Sequence, residues 1–259
     1  MLPLPVRPLP IEIPDPGCSV CKEPLDFDFT SAFQPIVDVN SRKIYAYEAL
    51  VRGVNGEGAA EILNQVNDSN RYRFDQGSRI RSIFLAQRLG MRTRISINFM
   101  PNAVYRPELC IRSTIAAAVA AKFPLEQIIF EVTESEQIVE PDKLLSIFNY
   151  YRKRGFATAI DDFGAGYAGL GLLTDFQPDI IKIDIKLVRD IDSNPVKQAV
   201  VEGILHTTKK LGVKVIAEGI ETRAEAQWFK ANGVHLMQGY YFARPGFESL
   251  PTVSNWDLD

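Results

Sequence analysis

From Phe27 onward, short apolar runs rich in β-branched residues alternate with longer segments whose apolar positions recur at helical spacing. The runs predict strands over Ala32–Val39, Lys43–Val51, Thr93–Phe99, Gln127–Val132, Phe156–Ile160, Ile180–Ile185, Val213–Ala217 and Leu236–Phe242. Between them, helical patterns cover Phe74–Leu89, Pro107–Lys122, Pro141–Arg154, Pro195–Leu211 and Arg223–Asn232. Pro141 and Pro195 suit first turns, where the missing N–H has no partner to lose. Gly90, Gly155, Gly212 and Gly233 suit the positions just past helix ends. Alternation of this kind predicts a mainly parallel sheet covered by helices. Only Asn40-Ser41-Arg42 separates the first two strands, which is hairpin spacing, so one strand runs antiparallel.

Residues 1–26 break the pattern. They carry Pro3, Pro5, Pro8, Pro10, Pro14, Pro16 and Pro24 without sustained periodicity, and read as an extended arm or linker ahead of an α/β domain over 27–259. At 259 residues, with 46% hydrophobic and 24% charged residues, the chain has the material for a sizeable core. A net charge of −3 with no basic run excludes a broad surface for nucleic-acid polymers, and leaves room for a small anion held through metal ions. Cys18, Cys21 and Cys110 make no disulfide framework. Cys18-Ser-Val-Cys21 has metal-ligand spacing, but a zinc site needs about four ligands and no second pair follows. Inert thiols are the favoured reading, with a redox or intermolecular role as the alternative. No apolar run approaches the roughly 18 residues that span a bilayer, and no signal segment opens the chain, so a cytoplasmic setting is expected.

The chemistry gathers at the ends of the apolar runs. Ala157–Ile160 leads into adjacent carboxylates, Asp161 and Asp162, with Gly164-Ala165-Gly166 after them. Two ionised carboxylates about 5 Å apart repel by roughly 3 kcal/mol at an effective dielectric near 20. Such a pair asks for a cation, a shared proton or open water, and alone it reads equally well as a solvated turn. Other runs, however, end in Glu48, Asn98, Glu131, Lys182 with Asp184, Glu218 and Gln238. Singly, each has a bland reading: a paired buried carboxylate, a turn asparagine, a snorkelling lysine. Together they sit where a β/α barrel collects its catalytic residues, and form an oxygen-rich cage suited to Mg²⁺ or Mn²⁺. His206 and His235 leave little material for a histidine zinc site. Gly164-Ala-Gly166-Tyr-Ala-Gly169 matches a dinucleotide fingerprint, but would set a pyrophosphate against Asp161 and Asp162. Asp162-Phe163-Gly164 matches a kinase triplet without its catalytic loop.

With these residues assembled, the chain resembles the EAL family of cyclic di-GMP phosphodiesterases. Glu48-Ala49-Leu50-Val51-Arg52 stands for the name-giving motif, after Phe33-Gln34-Pro35-Ile36-Val37. Asn98, Glu131-Val-Thr-Glu134, Asp161-Asp-Phe-Gly-Ala-Gly-Tyr167, Lys182-Ile-Asp184, Ala217-Glu-Gly-Ile-Glu-Thr222 and Gln238-Gly-Tyr-Tyr-Phe-Ala-Arg-Pro245 follow in order, and the match covers about residues 28–248. The resemblance implies a modified TIM-type (β/α)8 barrel with one antiparallel strand. It also implies hydrolysis of cyclic di-GMP to linear pGpG by two Mg²⁺ or Mn²⁺ ions, and a homodimer. By motif position Glu48, Asn98, Glu131 and Asp161 are ligands of one metal, and Asp161 with Asp162 hold the second. Glu218 and Gln238 are water-mediated or outer partners, and Lys182 holds the nucleophilic water. Gln34, Leu50, Arg52, Asp184, Gln238 and Pro245 are substrate contacts. Glu134, Glu221, Gly164 and Gly166 support or hinge the loop after Asp162. Ala165 and Ala168 stand where the family usually has Thr and Ser, and Val234-His235 where Cys-Asp is commoner. These departures remove no metal ligand. A non-catalytic cyclic di-GMP receptor and a module controlled by an unidentified regulatory partner are the competing functions.

Overall fold

A computed structural model describes residues 25–133, 141–166 and 169–258. Cys18, Cys21, Glu134, Tyr167 and Ala168, and all but the last two residues of the expected arm, lie outside them. Strands β1 (Phe29–Asp38), β2 (Lys43–Gly53), β3 (Arg94–Asn98), β4 (Ile128–Thr133), β5 (Ala157–Phe163), β6 (Ile180–Ile183), β7 (Lys214–Ala217) and β8 (Leu236–Met237) follow one another around a closed barrel. β2 through β8 pair in parallel, each with its successor. β1 closes the ring antiparallel to both β2 and β8, as its hairpin spacing requires. β8 is so short that the first half of β1 has an open edge on that side. β9 (Gly246–Phe247) fills it by pairing with Ala32 and Phe33.

Inside the barrel, Ile36, Ala46, Ile129, Ala159, Ile180 and Ile216 pack into one apolar layer. Outside, helices α1 (Ala59–Leu63), α2 (Arg71–Arg88), α3 (Pro107–Ala120), α4 (Pro141–Lys153), α5 (Gly169–Asp175), α6 (Ile185–Val188), α7 (Pro195–Leu211) and α8 (Arg223–Ala231) cover the sheet. Their buried faces and the outward strand residues make up the main core, from Phe99, Phe130 and Phe148 to Ile183 and Phe229. Local chemistry sets the ends. The Asn194 side chain accepts from the amides of Val196 and Lys197 to start α7, and Gly212 at φ 71° stops it. Thr222 and Glu225 form a capping box on α8.

Three strand ends differ from the periodicity, and all three differences shape the site. The run at Leu236–Phe242 is a strand only to Met237. There Gly239 turns the chain so tightly against Ile220 that a Cβ would lie 2.0 Å from the Ile220 carbonyl oxygen. Phe242 and Ala243 then donate back to the Gly239 carbonyl at 3.1 and 3.2 Å. The run at Ile180–Ile185 ends at Ile183, because the Asp184 carboxylate accepts the Lys186 amide at 2.8 Å and starts α6. β5 runs past Ile160 to Phe163, with a register shift between Ile160 and Phe163.

Candidate active site

Strand alternation carries the apolar barrel layer directly into a polar one. Two residues beyond Ala46, Ile129, Ala159, Ile180 and Ile216 stand Glu48, Glu131, Asp161, Lys182 and Glu218, so all five share the interior face. β1 runs the other way and presents Gln34, opposite Glu48, two residues before Ile36. Asn98 on β3 and Gln238 after β8 complete the ring, donating to Glu48 at 3.0 and 2.7 Å. Gln238 also donates to Gln34 at 3.2 Å, and Gln34 to the Ala243 carbonyl at 3.1 Å. Ser96, fully buried two residues before Asn98, donates to Glu131. The motif pattern missed Ser96; its place on the interior face of β3, one layer below Asn98, was the available signal.

The bulge in β5 explains how neighbouring carboxylates reach the same cavity. Regular alternation would point Asp162 outward. Asp162 instead adopts φ 55°, a left-handed conformation costly for a residue with a Cβ, and its amide donates to Asp161 Oδ1 at 3.0 Å. The pair therefore lies within a bulged strand, not in a turn after one. Gly164 follows at φ 96°, where an added Cβ would meet Leu187 Cδ1 at 2.5 Å.

Lys182 has no exposure, and its Nζ sits among four carboxylates: Glu218 at 2.7 Å, Glu131 and Asp161 at 3.0 Å, and Glu48 at 3.3 Å. Burial works against the ammonium, but these four hold its pKa well above the ordinary lysine value. The carboxylates spread apart. Burial, with Glu48 and Asp161 adding to it, pushes Glu131 up to about 8. Burial and then Asp161 raise Glu218 well above its usual range. Asp161 feels the same burial, yet Lys182 and its hydrogen bonds hold it below the ordinary value. Asp162 rises to about 6 through burial, then through repulsion from Asp161 and Asp184. One ammonium does not satisfy this much buried negative charge.

The ring opens into a cavity of about 400 Å³ lined by Gln34, Glu48, Asp161, Asp162, Asp184 and Glu218, with Gly219, Glu221, Gln238, Gly239, Ile185 and Tyr240 at its rim. Ile185 and Tyr240 were not foreseen. Leu50, Arg52 and Pro245 are half-buried and lie off this lining, and the Arg52 guanidinium donates to the Val51 carbonyl at 2.7 Å. Glu221 pairs with Arg189 at 2.8 Å. His235 lies on the cavity at the opposite end of the barrel, with Asp38 and Lys214.

The donor set fits hard divalent cations. Glu48, Glu131 and Asp161 each offer an oxygen within 4.8 Å of the others, and so do Asp161, Asp162 and Glu218, with Asp161 common to both groups. The Asn98 amide nitrogen is spent on Glu48, leaving its oxygen to offer. Gln238 Oε1 is buried without a hydrogen-bond partner among the described residues.

A family model described as EAL domain matches residues 25–245. The chain is 34% identical over 224 residues to the blue light- and temperature-regulated antirepressor BluF of Escherichia coli K12, covering 86% of the chain and 56% of that protein. It is 29% identical over 229 residues to the probable cyclic di-GMP phosphodiesterase PdeN of the same organism, covering 84% and 43%. It thus spans little more than half of these curated relatives, or less. A standalone versatile EAL protein from Vibrio cholerae O395, solved in its c-di-GMP bound form, superposes with a TM-score of 0.88. That match has 51% identity over 90% of this chain and 99% of that one. Klebsiella pneumoniae BlrP1, in complex with manganese and cyclic di-GMP, gives 0.80 at 37% identity over 85% and 56%.

Proposed function

The chain belongs to the EAL domain family, and from that premise we propose that it hydrolyses cyclic di-GMP to linear pGpG with two divalent cations, Mg²⁺ or Mn²⁺. One observation carries the reading: two groups of oxygen donors overlap at Asp161. Glu48, Asn98, Glu131 and Asp161 would hold one ion, and Asp161 and Asp162, with Glu218 beside them, the other. A pair of ions activates a water for attack and stabilises the entering and leaving oxygens of the phosphodiester.

The chain's own groups divide the remaining work. Lys182 keeps its proton, because four carboxylates hold it; it therefore acts as a donor to the attacking oxygen and a counter-charge to phosphate, not as a base. Glu218 borders the cavity beside Lys182; raised by burial, it holds a proton in the metal-free protein. With cations bound it would be ionised, free to take a proton from the water and return it to the leaving oxygen. Gln34 and Gln238 line the cavity as substrate contacts, Gln238 with an oxygen that has no hydrogen-bond partner among the described residues. Leu50, Arg52, Asp184 and Pro245 belong to the same substrate-contact proposal, as Gly164, Gly166, Glu134 and Glu221 do to a loop linking the metal site to a homodimer interface.

The test is incubation of purified protein with cyclic di-GMP and Mn²⁺ or Mg²⁺, followed by chromatography for pGpG. The name of the Escherichia coli antirepressor favours a second reading, a regulatory domain that binds without cleaving. Tight binding of cyclic di-GMP with no pGpG formed overturns hydrolysis and supports that reading.

A further inference from the structure

A second buried charge cluster stands on the other side of the barrel wall. Arg79 and Asp75 on α2 form an ion pair with side-chain exposures of 0% and 2%. The Arg79 guanidinium lies 5.3 Å from the Phe99 ring centre and 5.2 Å from that of Phe130, and donates to the Tyr151 hydroxyl at 2.9 Å. The other Asp75 oxygen accepts the Met100 amide at 2.9 Å.

Two of these neighbours, Phe99 and Phe130, sit beside candidate ligands that face inward. Phe99 and Met100 follow Asn98, and Phe130 precedes Glu131. A ladder bond, Phe99 amide to Glu131 carbonyl at 3.0 Å, joins the two strands at this level. Beyond it β3 leaves the sheet, and the Met100 amide finds its acceptor in Asp75.

We propose that Asp75 is a positioning residue for Asn98 and Glu131: it fixes the backbone after Asn98, and Arg79 compensates its buried charge. The proposal rests on the two-ion reading. It adds an asymmetry, since the pair braces the Glu48–Asn98–Glu131 side and makes no contact with Asp162 or Glu218.

Two double variants test it without leaving an unpaired buried charge. Asp75→Leu with Arg79→Met removes the acceptor for Met100, whereas Asp75→Asn with Arg79→Met keeps one in nearly the same shape. Mn²⁺ binding to the purified, substrate-free proteins is followed by calorimetry and electron paramagnetic resonance, well below each unfolding midpoint. The Leu-containing variant is expected to lose about 10–100-fold in affinity at one of two sites and keep the other, as loss of a ligand's support typically does. The Asn-containing variant stays within about threefold of wild type at both. Unchanged binding in both variants, or equal losses at both sites, overturns the proposal, the second outcome marking a purely structural pair. Wild-type protein that binds no Mn²⁺ sinks the two-ion reading itself. Should the Leu-containing variant fail to fold, hydrogen exchange of the Met100 amide in wild type decides: protection like that of β3 supports the bond, and exchange at the rate of an exposed amide overturns it.

Discussion

The barrel wall separates two buried charge clusters that differ in stoichiometry. Outside it, one guanidinium meets one carboxylate, with aromatic rings and a tyrosine hydroxyl taking up the rest of the cation. Inside it, one ammonium meets four carboxylates, and three more, Asp162, Asp184 and Glu221, line the same cavity. Burying an ion is tolerable only when its charge is compensated. The outer cluster is complete as it stands; the inner one is balanced only by taking up protons or cations. The same chemistry of burial thus yields a closed ion pair in one place and a candidate cation site in the other.

The comparison breaks most readily at Asp161, the donor common to both ligand groups. Asp161→Asn is expected to lower turnover of cyclic di-GMP by on the order of a thousandfold or more, about 4 kcal/mol of barrier, with circular dichroism unchanged. Near-wild-type turnover would remove Asp161 from the metal set. Lysine and arginine come next. Lys182→Met and Arg79→Met each leave buried carboxylate uncompensated and should cost about 3–5 kcal/mol of metal-free stability. Thermal unfolding with and without Mn²⁺ then separates them: the ion restores much of the loss in the Lys182 variant and none specific to the Arg79 variant. Equal restoration in both would erase the distinction between the clusters.

The pH dependence follows from the raised carboxylates. Asp162 near 6 and Glu131 near 8 are protonated more readily folded than unfolded, so their contribution is present at low pH and fades as pH rises through those values. Asp38, Asp161 and Glu225 are lowered, and lose their contribution only below their ordinary values of 3.8 to 4.5. In chelator, the protein should therefore unfold at a higher temperature at pH 5 than at pH 8, and saturating Mn²⁺ should flatten or reverse that slope. A rise in stability from pH 5 to 8 without metal would contradict the crowding of charge around Lys182. The smallest effect belongs to the apolar layer beneath: Ile216→Val should cost about 0.5–1.5 kcal/mol and leave Mn²⁺ affinity alone. A matching loss of affinity would mean that the layer, and not the polar ring, sets the site's geometry.

Much of this was legible because barrel alternation is local. Ile129 then Glu131, Ile180 then Lys182 and Ile216 then Glu218 announce both the interior layer and the ring above it from two-residue spacing alone. What periodicity missed depends on contacts distant in sequence. The bulge that turns Asp162 inward shows only in pairing with β6, and the early end of β8 is imposed by the backbone of Ile220. Asp75 and Arg79 have the spacing of an ordinary exposed helix pair. Nothing in α2 alone reveals that residues 99, 130 and 151 enclose them. Ser96 was overlooked because a serine in a buried strand carries no charge to flag it, although it bonds Glu131, a candidate ligand.

The reversed direction of β1 has a consequence for whatever precedes it. In an all-parallel barrel the first strand begins at the end remote from the reaction. Here Phe29 begins at the end of the barrel that holds the candidate site, with Phe27 and Phe29 packed on Phe74 of α2, next to Asp75. The reversed strand thus ties its own beginning to the helix that carries Asp75 and Arg79, at the same end of the barrel as the candidate site.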